Sequence, residues 1–284
     1  MVRPQLVTLG DNVVDRYVDL GWMYPGGNTV NVAVHAARLG VRASYIGVVG
    51  TDDAGRCVLD SLRAEGVDDE HITVLDGPNA TATVRVVDGN RVFGDGTVGV
   101  SRFAPTAEHL ALIGAADMVH TGDCSMLEEH LPRLRKHARA LSFDFSERPW
   151  EYIQQLAPLV DIAICSMPSD DSVEHRATAI AALGPRTVVV TRGAAGATLL
   201  TPEGFHHSPA GTGPVVDTLG AGDALAARLL TGLMTGEAPQ SALDAATVYA
   251  TACCAEYGAF GHQTALATPI TTADDVSTHE GAPT

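Results

Sequence analysis

The sequence predicts an α/β protein: a mostly parallel central sheet with helices on both faces, plus a small β lid. Three observations predict it. Short apolar runs alternate with amphipathic helical stretches along most of the chain, the pattern of strand–helix–strand units. Runs such as Val188-Val189-Val190 are apolar at every position, as strands buried on both faces must be. One stretch, residues 80–94, breaks the pattern by alternating with period two around Asp88-Gly89-Asn90, and reads as an inserted hairpin.

Taken in order, residues 5–10 read as the first buried strand and 28–39 as an amphipathic helix ended by Gly40. Residues 44–49 give a second strand, and 54–65 a helix stopped by Gly66. Residues 117–120 are a short apolar strand before a helix near 126–138. Strands at 141–145, 162–166 and 187–191 follow, with helical segments between them. The apolar run 225–234 continues a helix whose start falls near Gly220. The lid is expected from about 16–25 and 80–97, within one domain spanning 1–266. Residues 267–284, rich in Thr, Pro, Asp and Ser, have little to bury and read as a disordered tail.

Composition narrows the function classes. The 284 residues suffice for one large domain with a sizeable core, and 45% are apolar. A net charge of −16 argues against nucleic acid or an anionic membrane as partner. An acidic protein that handles phosphate relies on backbone N–H groups and cations instead of a lysine patch. The five cysteines are odd in number, lack CxxC spacing and read as buried thiols. The chain opens into a strand without a signal-peptide pattern, and no apolar run approaches the ~18 residues of a membrane span. A cytoplasmic location is expected.

The motif richest in chemistry is Asp217-Thr218-Leu219-Gly220-Ala221-Gly222-Asp223. Three small residues at a loop-to-helix junction let a phosphate approach N–H groups that have no intrahelical partner. Asp223, in the first turn, sits within reach of whatever those donors hold. A phosphate grip beside a general base is the minimum equipment for phosphoryl transfer to a hydroxyl. An ordinary helix cap with glycines for close packing is the plainer explanation of this heptapeptide alone.

Two N-terminal segments suit a polyol ligand. Asp11, Asn12 and Asp15 follow the first strand, and ligands of open α/β sheets bind beyond the carboxyl ends of strands. Gly26-Gly27-Asn28-Thr29-Val30-Asn31 opens the next helix, with two glycines for close approach and two amides whose donors and acceptors match sugar hydroxyls. Capping explains Asn28 but not Asn31, a poor helix former one turn in. Thr191-Arg192-Gly193-Ala194-Ala195-Gly196 closes a strand with a small-residue turn able to receive part of a nucleotide. The GxGxxG string at 94–99 is rejected as a dinucleotide fingerprint, because no helix begins after it. Walker-type, HExxH and GxSxG strings are absent, and the eleven histidines show no metal-ligand spacing.

Together these motifs resemble the ribokinase-like (PfkB) family of carbohydrate kinases. The glycine pair with Asn, the T-x-G-x-x-G turn and the D-T-x-G-A-G-D signature occur in family order across roughly residues 5–266. Arg91 to Asp95, Phe143-Asp144-Phe145-Ser146 and Tyr257-Gly258-Ala259-Phe260 look like the fructosamine-kinase branch. The resemblance implies ATP-dependent phosphorylation of a primary hydroxyl on a sugar or sugar-amine, with fructosamines such as fructoselysine as leading acceptors. It implies Asp223 as base and Gly220, Ala221 and Gly222 as the anion hole. Asp11, Asn12, Asp15, Gly26, Gly27, Asn28, Asn31, Asp144 and Arg148 are then expected on the sugar. Thr191, Gly193, Gly196, Asp217, Thr218, Gly220 and Gly222 are expected on the nucleotide. ATP and Mg²⁺ are the implied cofactors, with K⁺ as the family's monovalent cation. No metal ligand is assigned, and a homodimer through the lid is expected because an exposed edge strand invites pairing.

Two departures accompany the resemblance. The N-x-x-E element, whose Glu organises the Mg²⁺ waters in many members, is replaced by Ser166 to Asp171, leaving Asp170 or Asp171 as substitutes. The D-x-N-x-R element appears as Asp144-Phe145-Ser146-Glu147-Arg148, with Ser for Asn. The lost Glu motivates one competing reading, a non-catalytic sugar or nucleotide sensor on the same fold; a kinase of another ketose, riboside or nucleoside is the alternative within the kinase reading.

Overall fold

A computed structural model describes residues 3–87, 90–167 and 172–266. The hairpin turn at 88–89, Asp170 and Asp171, and the 267–284 tail lie outside the described residues. In chain order the strands are β1 (Gln5–Leu9), β2 (Val13–Tyr17), β3 (Trp22–Gly26), β4 (Arg42–Gly50), β5 (Ile72–Leu75), β6 (Thr81–Val87) and β7 (Asn90–Thr97). They continue with β8 (Met118–Gly122), β9 (Leu141–Asp144), β10 (Ile162–Ser166), β11 (Thr187–Thr191), β12 (Ala197–Thr201), β13 (Gly204–Ser208) and β14 (Thr264–Ala265). The α-helices are α1 (Asn28–Arg38), α2 (Asp53–Ala64), α3 (Ala107–Ala115), α4 (Leu131–His137), α5 (Trp150–Leu156), α6 (Val173–Ala181), α7 (Ala221–Met234) and α8 (Pro239–Cys253).

Among the described residues the central sheet runs β13-β12-β11-β10-β9-β8-β1-β4-β5. The strands from β11 through β5 pair in parallel, and only β12 and β13 at one edge are antiparallel. Side chains alternate across it into two cores. Leu6, Ile162, Ile164 and Val189 join one with α1, α2, α7 and α8; Val7, Leu9, Ala163, Val188 and Val190 join the other with α3 to α6. Both faces are therefore covered, which accounts for the uninterrupted apolar strand runs.

Three elements differ from the sequence reading. The helix expected near 126–138 is only α4, preceded by single 3₁₀ turns at Asp123–Ser125 and Glu128–His130. Met126 takes a left-handed φ of 55°, which no α-helix accommodates. The strands β12 and β13 form a meander where no strands were expected. The lid is larger than residues 16–25 and 80–97: a five-stranded sheet, β14-β3-β2-β6-β7, begins at Val13 and takes in β14. The 94–99 string lies in β7 and the turn after it, before any helix, in keeping with its rejection as a dinucleotide site.

Candidate active site

Strands β1, β8 and β9 are parallel neighbours, so their carboxyl ends open on one edge of the sheet. Just beyond or at those ends stand Asp11, Asp123 and Asp144. Helices α1 and α7 pack together on one face. Their first turns bring Asn28 and Asn31 against Asp223. A cleft of about 350 Å³ forms here, roofed by Ala80, Ala82, Phe93 and Thr97 of the lid segment. Five carboxylates line it (Asp11, Asp15, Asp123, Asp144 and Asp223), and among the described residues no Lys, Arg or His does. A wider depression of about 600 Å³ between α2 and β14 shares no residue with this cleft.

A bridging network holds the carboxylates. The Asn28 side-chain nitrogen donates to Asp223 Oδ1 at 2.7 Å and to Asp144 Oδ2 at 3.0 Å. Asn31 donates to Asp223 Oδ2 at 2.6 Å. Asp11 accepts from the Asn28 backbone N–H at 2.8 Å and from Ser125 Oγ at 2.9 Å, tying the start of α1 to β1. Burial pushes Asp223 up to about 7, against the lowering effect of the Asn31 and Asn28 hydrogen bonds. Burial, then the adjacent Asp223 charge, pushes Asp144 up to about 7 as well. Burial also raises Asp11. A carboxylate poised near neutrality and held by neutral donors suits a general base.

Next to the cleft, between its lining residues Leu219 and Asp223, the start of α7 presents backbone. This helix start has no side-chain cap; the Ala221 N–H is taken by the Thr218 carbonyl, and the Gly222 and Asp223 N–H groups have no intrahelical partner. Gly220 precedes it at a left-handed φ of 72°, where an added Cβ would stand 2.4 Å from Ala259 Cβ. Glycine is thus required twice over, by conformation and by contact. A Cβ at Gly222 would meet nothing within 4 Å, so that turn faces open space. An uncapped helix start with free donors fits a phosphate.

The cleft brings together Asp11, Asn12, Asp15, Gly27, Asn28, Asn31, Asp144 and Asp223. The Asn12 amide turns the other way, donating to Tyr45 Oη at 3.0 Å and Val48 O at 2.7 Å, so it braces the loop from the core. Gly27 takes φ 104°, and its Cβ would meet Asn12 Cα at 2.7 Å. Gly26 lies beneath Asp15, whose Oδ2 would sit 2.8 Å from an added Cβ. Arg148 is not a lining residue: it pairs with Asp123 at 2.6 Å, and Ser146 Oγ donates to the same carboxylate at 3.2 Å. Ser146 takes φ 49°, a left-handed conformation that Asn tolerates better than Ser, which makes the departure from D-x-N-x-R a conformational one.

The residues expected on the nucleotide do not line this cleft. Thr191 ends β11, and Gly193 and Gly196 bound the one-turn helix Gly193–Ala195 after it. Asp217 is buried, and its carboxylate accepts from the backbone of Leu219 at 3.0 Å and Gly258 at 3.1 Å and from the Tyr17 hydroxyl of the lid. It organises the loop before α7 from behind. Thr218 is exposed, its carbonyl receiving the Ala221 N–H at 3.3 Å. Sequence reasoning missed Asp123, Ser125 and His120. The first two lie in an irregular turn after a strand, and the last is one of many scattered histidines.

Comparison with known proteins agrees with this architecture. Residues 4–264 match the pfkB family of carbohydrate kinases, and the chain belongs to that family. It is a phosphotransferase acting on a sugar hydroxyl. The chain is 37% identical to fructosamine kinase FrlD of Bacillus subtilis strain 168 over 266 residues, covering 91% of this chain and 93% of that one. It is 36% identical to fructoselysine 6-kinase of Escherichia coli K12 over 255 residues, covering 88% and 96%. Among solved structures, Arabidopsis thaliana ribokinase complexed with ribose and ATP superposes with a TM-score of 0.78 at 20% identity, over 91% of this chain and 95% of that one.

Proposed function

We propose that the protein is an ATP-dependent fructosamine kinase, which transfers the γ-phosphate to a primary hydroxyl of a sugar-amine such as fructoselysine. The observation that carries the choice of acceptor is the cleft, lined among the described residues by five carboxylates and no basic residue. A protonated secondary amine is attracted there, while a neutral ketose gains nothing from the charge. The similarity to a fructosamine kinase and a fructoselysine 6-kinase supports the same reading.

In this reading Asp223 takes the hydroxyl proton as the sugar oxygen bonds to the γ-phosphorus. The bond from that phosphorus to the bridging oxygen breaks, and ADP leaves with the electron pair. Asn28 and Asn31 hold Asp223 in place, and the N–H groups at 220–223 face the transferring phosphoryl group. Asp15, Gly27 and Asp144 bind the sugar, with Arg148 acting through Asp123. Thr191, Gly193, Gly196 and Thr218 flank the nucleotide, and Asp217 shapes its loop. Mg²⁺, when bound with ATP, would neutralise charge on the phosphates. Among the described residues no cluster of three or more His, Cys, Asp or Glu side chains is placed to hold a metal ion by itself. K⁺ beside the anion hole completes the expected set.

The reading places the enzyme in the cytoplasm, where ATP is available; no helix among the described residues is long and apolar enough to cross a membrane. It also makes the protein a homodimer through the lid, whose β7 edge exposes Val92 and Phe93. The test is ADP release with MgATP on fructoselysine, other fructosamines, fructose, ribose and adenosine. Fructosamines are expected to turn over best, and Asp223→Asn to lower kcat by about 10²–10⁴-fold. Preference for a neutral sugar, or undiminished turnover by Asp223→Asn, overturns the reading.

A further inference from the structure

The Asn28 amide does two things at once, and both depend on which way round it sits. Its nitrogen lies 2.7 Å from Asp223 Oδ1 and 3.0 Å from Asp144 Oδ2, so both N–H groups are committed to carboxylates. Its oxygen must then face the other way. There it meets Nε2 of His120 at 3.1 Å. An amide oxygen only accepts, so His120 must carry its proton on Nε2. The opposite ring nitrogen, Nδ1, lies 3.1 Å from Ser142 Oγ, which supplies the donor for that side. His120 and Ser142 are fully buried in adjacent strands β8 and β9. Burial holds the imidazole neutral, lowering it to about 3. A neutral, single-tautomer imidazole is a fixed donor. Gly122, two residues on in β8, leaves the room: an added Cβ would lie 2.7 Å from Asn28 Oδ1.

We propose that His120 is a positioning residue, which fixes the orientation of the Asn28 amide and so keeps its two N–H groups on Asp223 and Asp144. A flipped amide would turn its oxygen toward two carboxylates, and the His120 donor makes that flip unfavourable. The mechanistic value of the device rests on Asp223 as the base; the geometry of the device does not. The groups facing Asp223 are Asp11 beyond β1, Asp15 on β2, Asn28 and Asn31 on α1, Asp123 beyond β8 and Asp144 on β9. All the charged ones are acidic, so amide donors are what favour its ionised form.

The test reads the Asp223 carboxyl directly, by carbon-13 NMR titration of protein labelled at aspartate carboxyls. The resonance is assigned by its disappearance in Asp223→Asn. His120→Leu keeps an apolar side chain of similar bulk but removes the donor, and it is expected to raise the midpoint by about one pH unit. His120→Gln keeps a donor near the Nε2 position and is expected to stay close to wild type. Gly122→Ala adopts the extended φ of −148° without strain, crowds the Asn28 oxygen, and is expected to raise the midpoint too. An unchanged midpoint in folded His120→Leu and Gly122→Ala overturns the proposal; if His120→Leu fails to fold, Gly122→Ala decides it. The measurement needs no substrate. A shifted midpoint without turnover on any sugar therefore defeats the acceptor reading and leaves the positioning role standing. Normal turnover with no shift does the reverse.

Discussion

The two sides of the cleft are made of different material. On the proposed sugar side, groups just beyond β1 and β8, on β8 and β9, and on α1 and α7 hold one another through hydrogen bonds of 2.6 to 3.1 Å. On the proposed phosphate side the groups are main-chain N–H donors at a helix start without a side-chain cap, with Gly220 packed against Ala259. The side-chain half is tuned by charge and burial, and its parts titrate. The main-chain half has no titrating group among its donors and answers to geometry alone. Substitutions in the first should therefore move pH dependence and sugar affinity, and substitutions in the second should move the chemical step.

The sharpest way to break that division is Gly220→Ala. The new methyl would oppose Ala259 at 2.4 Å and sit at a left-handed φ, so the start of α7 has to shift. Loss of one aligned donor to the transferring group predicts a kcat about 10²-fold lower. The KM for the sugar should stay near wild type, because the proposed sugar contacts Asp15 and Asp144 stand on β2 and β9, and Gly27 precedes α1. Steady-state kinetics on the fructosamine checks this. A rise in sugar KM with kcat preserved would mean the two halves are one unit.

The next effect is about tenfold per pH unit and belongs to the other half. Asp223 and Asp144, each raised to about 7, titrate as a coupled pair. In the proposed mechanism the base, Asp223, works ionised, and burial has raised its value. Protonation therefore removes activity as pH falls through about 7, and kcat/KM for the sugar should drop tenfold per unit below that. Asp144→Asn takes away a neighbouring negative charge and should move this acid limb to lower pH. In Gly220→Ala the limb should stay where wild type has it. A limb that moves in Gly220→Ala but not in Asp144→Asn would reverse the assignment of the two halves.

The same division explains what was legible in the sequence. Main-chain sites need small residues at fixed local spacing, so Gly220-Ala221-Gly222 and the Gly26-Gly27 pair announce themselves in a few consecutive letters. The parallel sheet was legible for a related reason: strands buried on both faces must be apolar throughout. The side-chain network is long-range, and its partners lie far apart. Asn28 meets Asp223 across 195 positions and His120 across 92, and neither separation leaves a local pattern. Asp123 was obscured because the turn holding it bends through Met126 at φ 55°, where helical periodicity had been read. The inward turn of Asn12 was equally hidden, since its partners Tyr45 and Val48 belong to β4.

The smallest effect tests the lid, which belongs to neither half. Phe93 lines the cleft from β7 and is 58% exposed. A substituent on the sugar amine would cover part of it. Burying a fraction of one aromatic face is worth about 0.5–1 kcal/mol, a two- to fivefold change in affinity. Phe93→Ala should then raise KM for fructoselysine by about that factor and leave the KM for free fructose unchanged, with kcat unaltered in both. Equal losses on the two sugars would assign Phe93 to closure of the lid over any acceptor. No loss on either, together with a shift from dimer to monomer in light scattering, would assign the ring to the subunit contact, and the charge of the cleft alone would then have to select the amine.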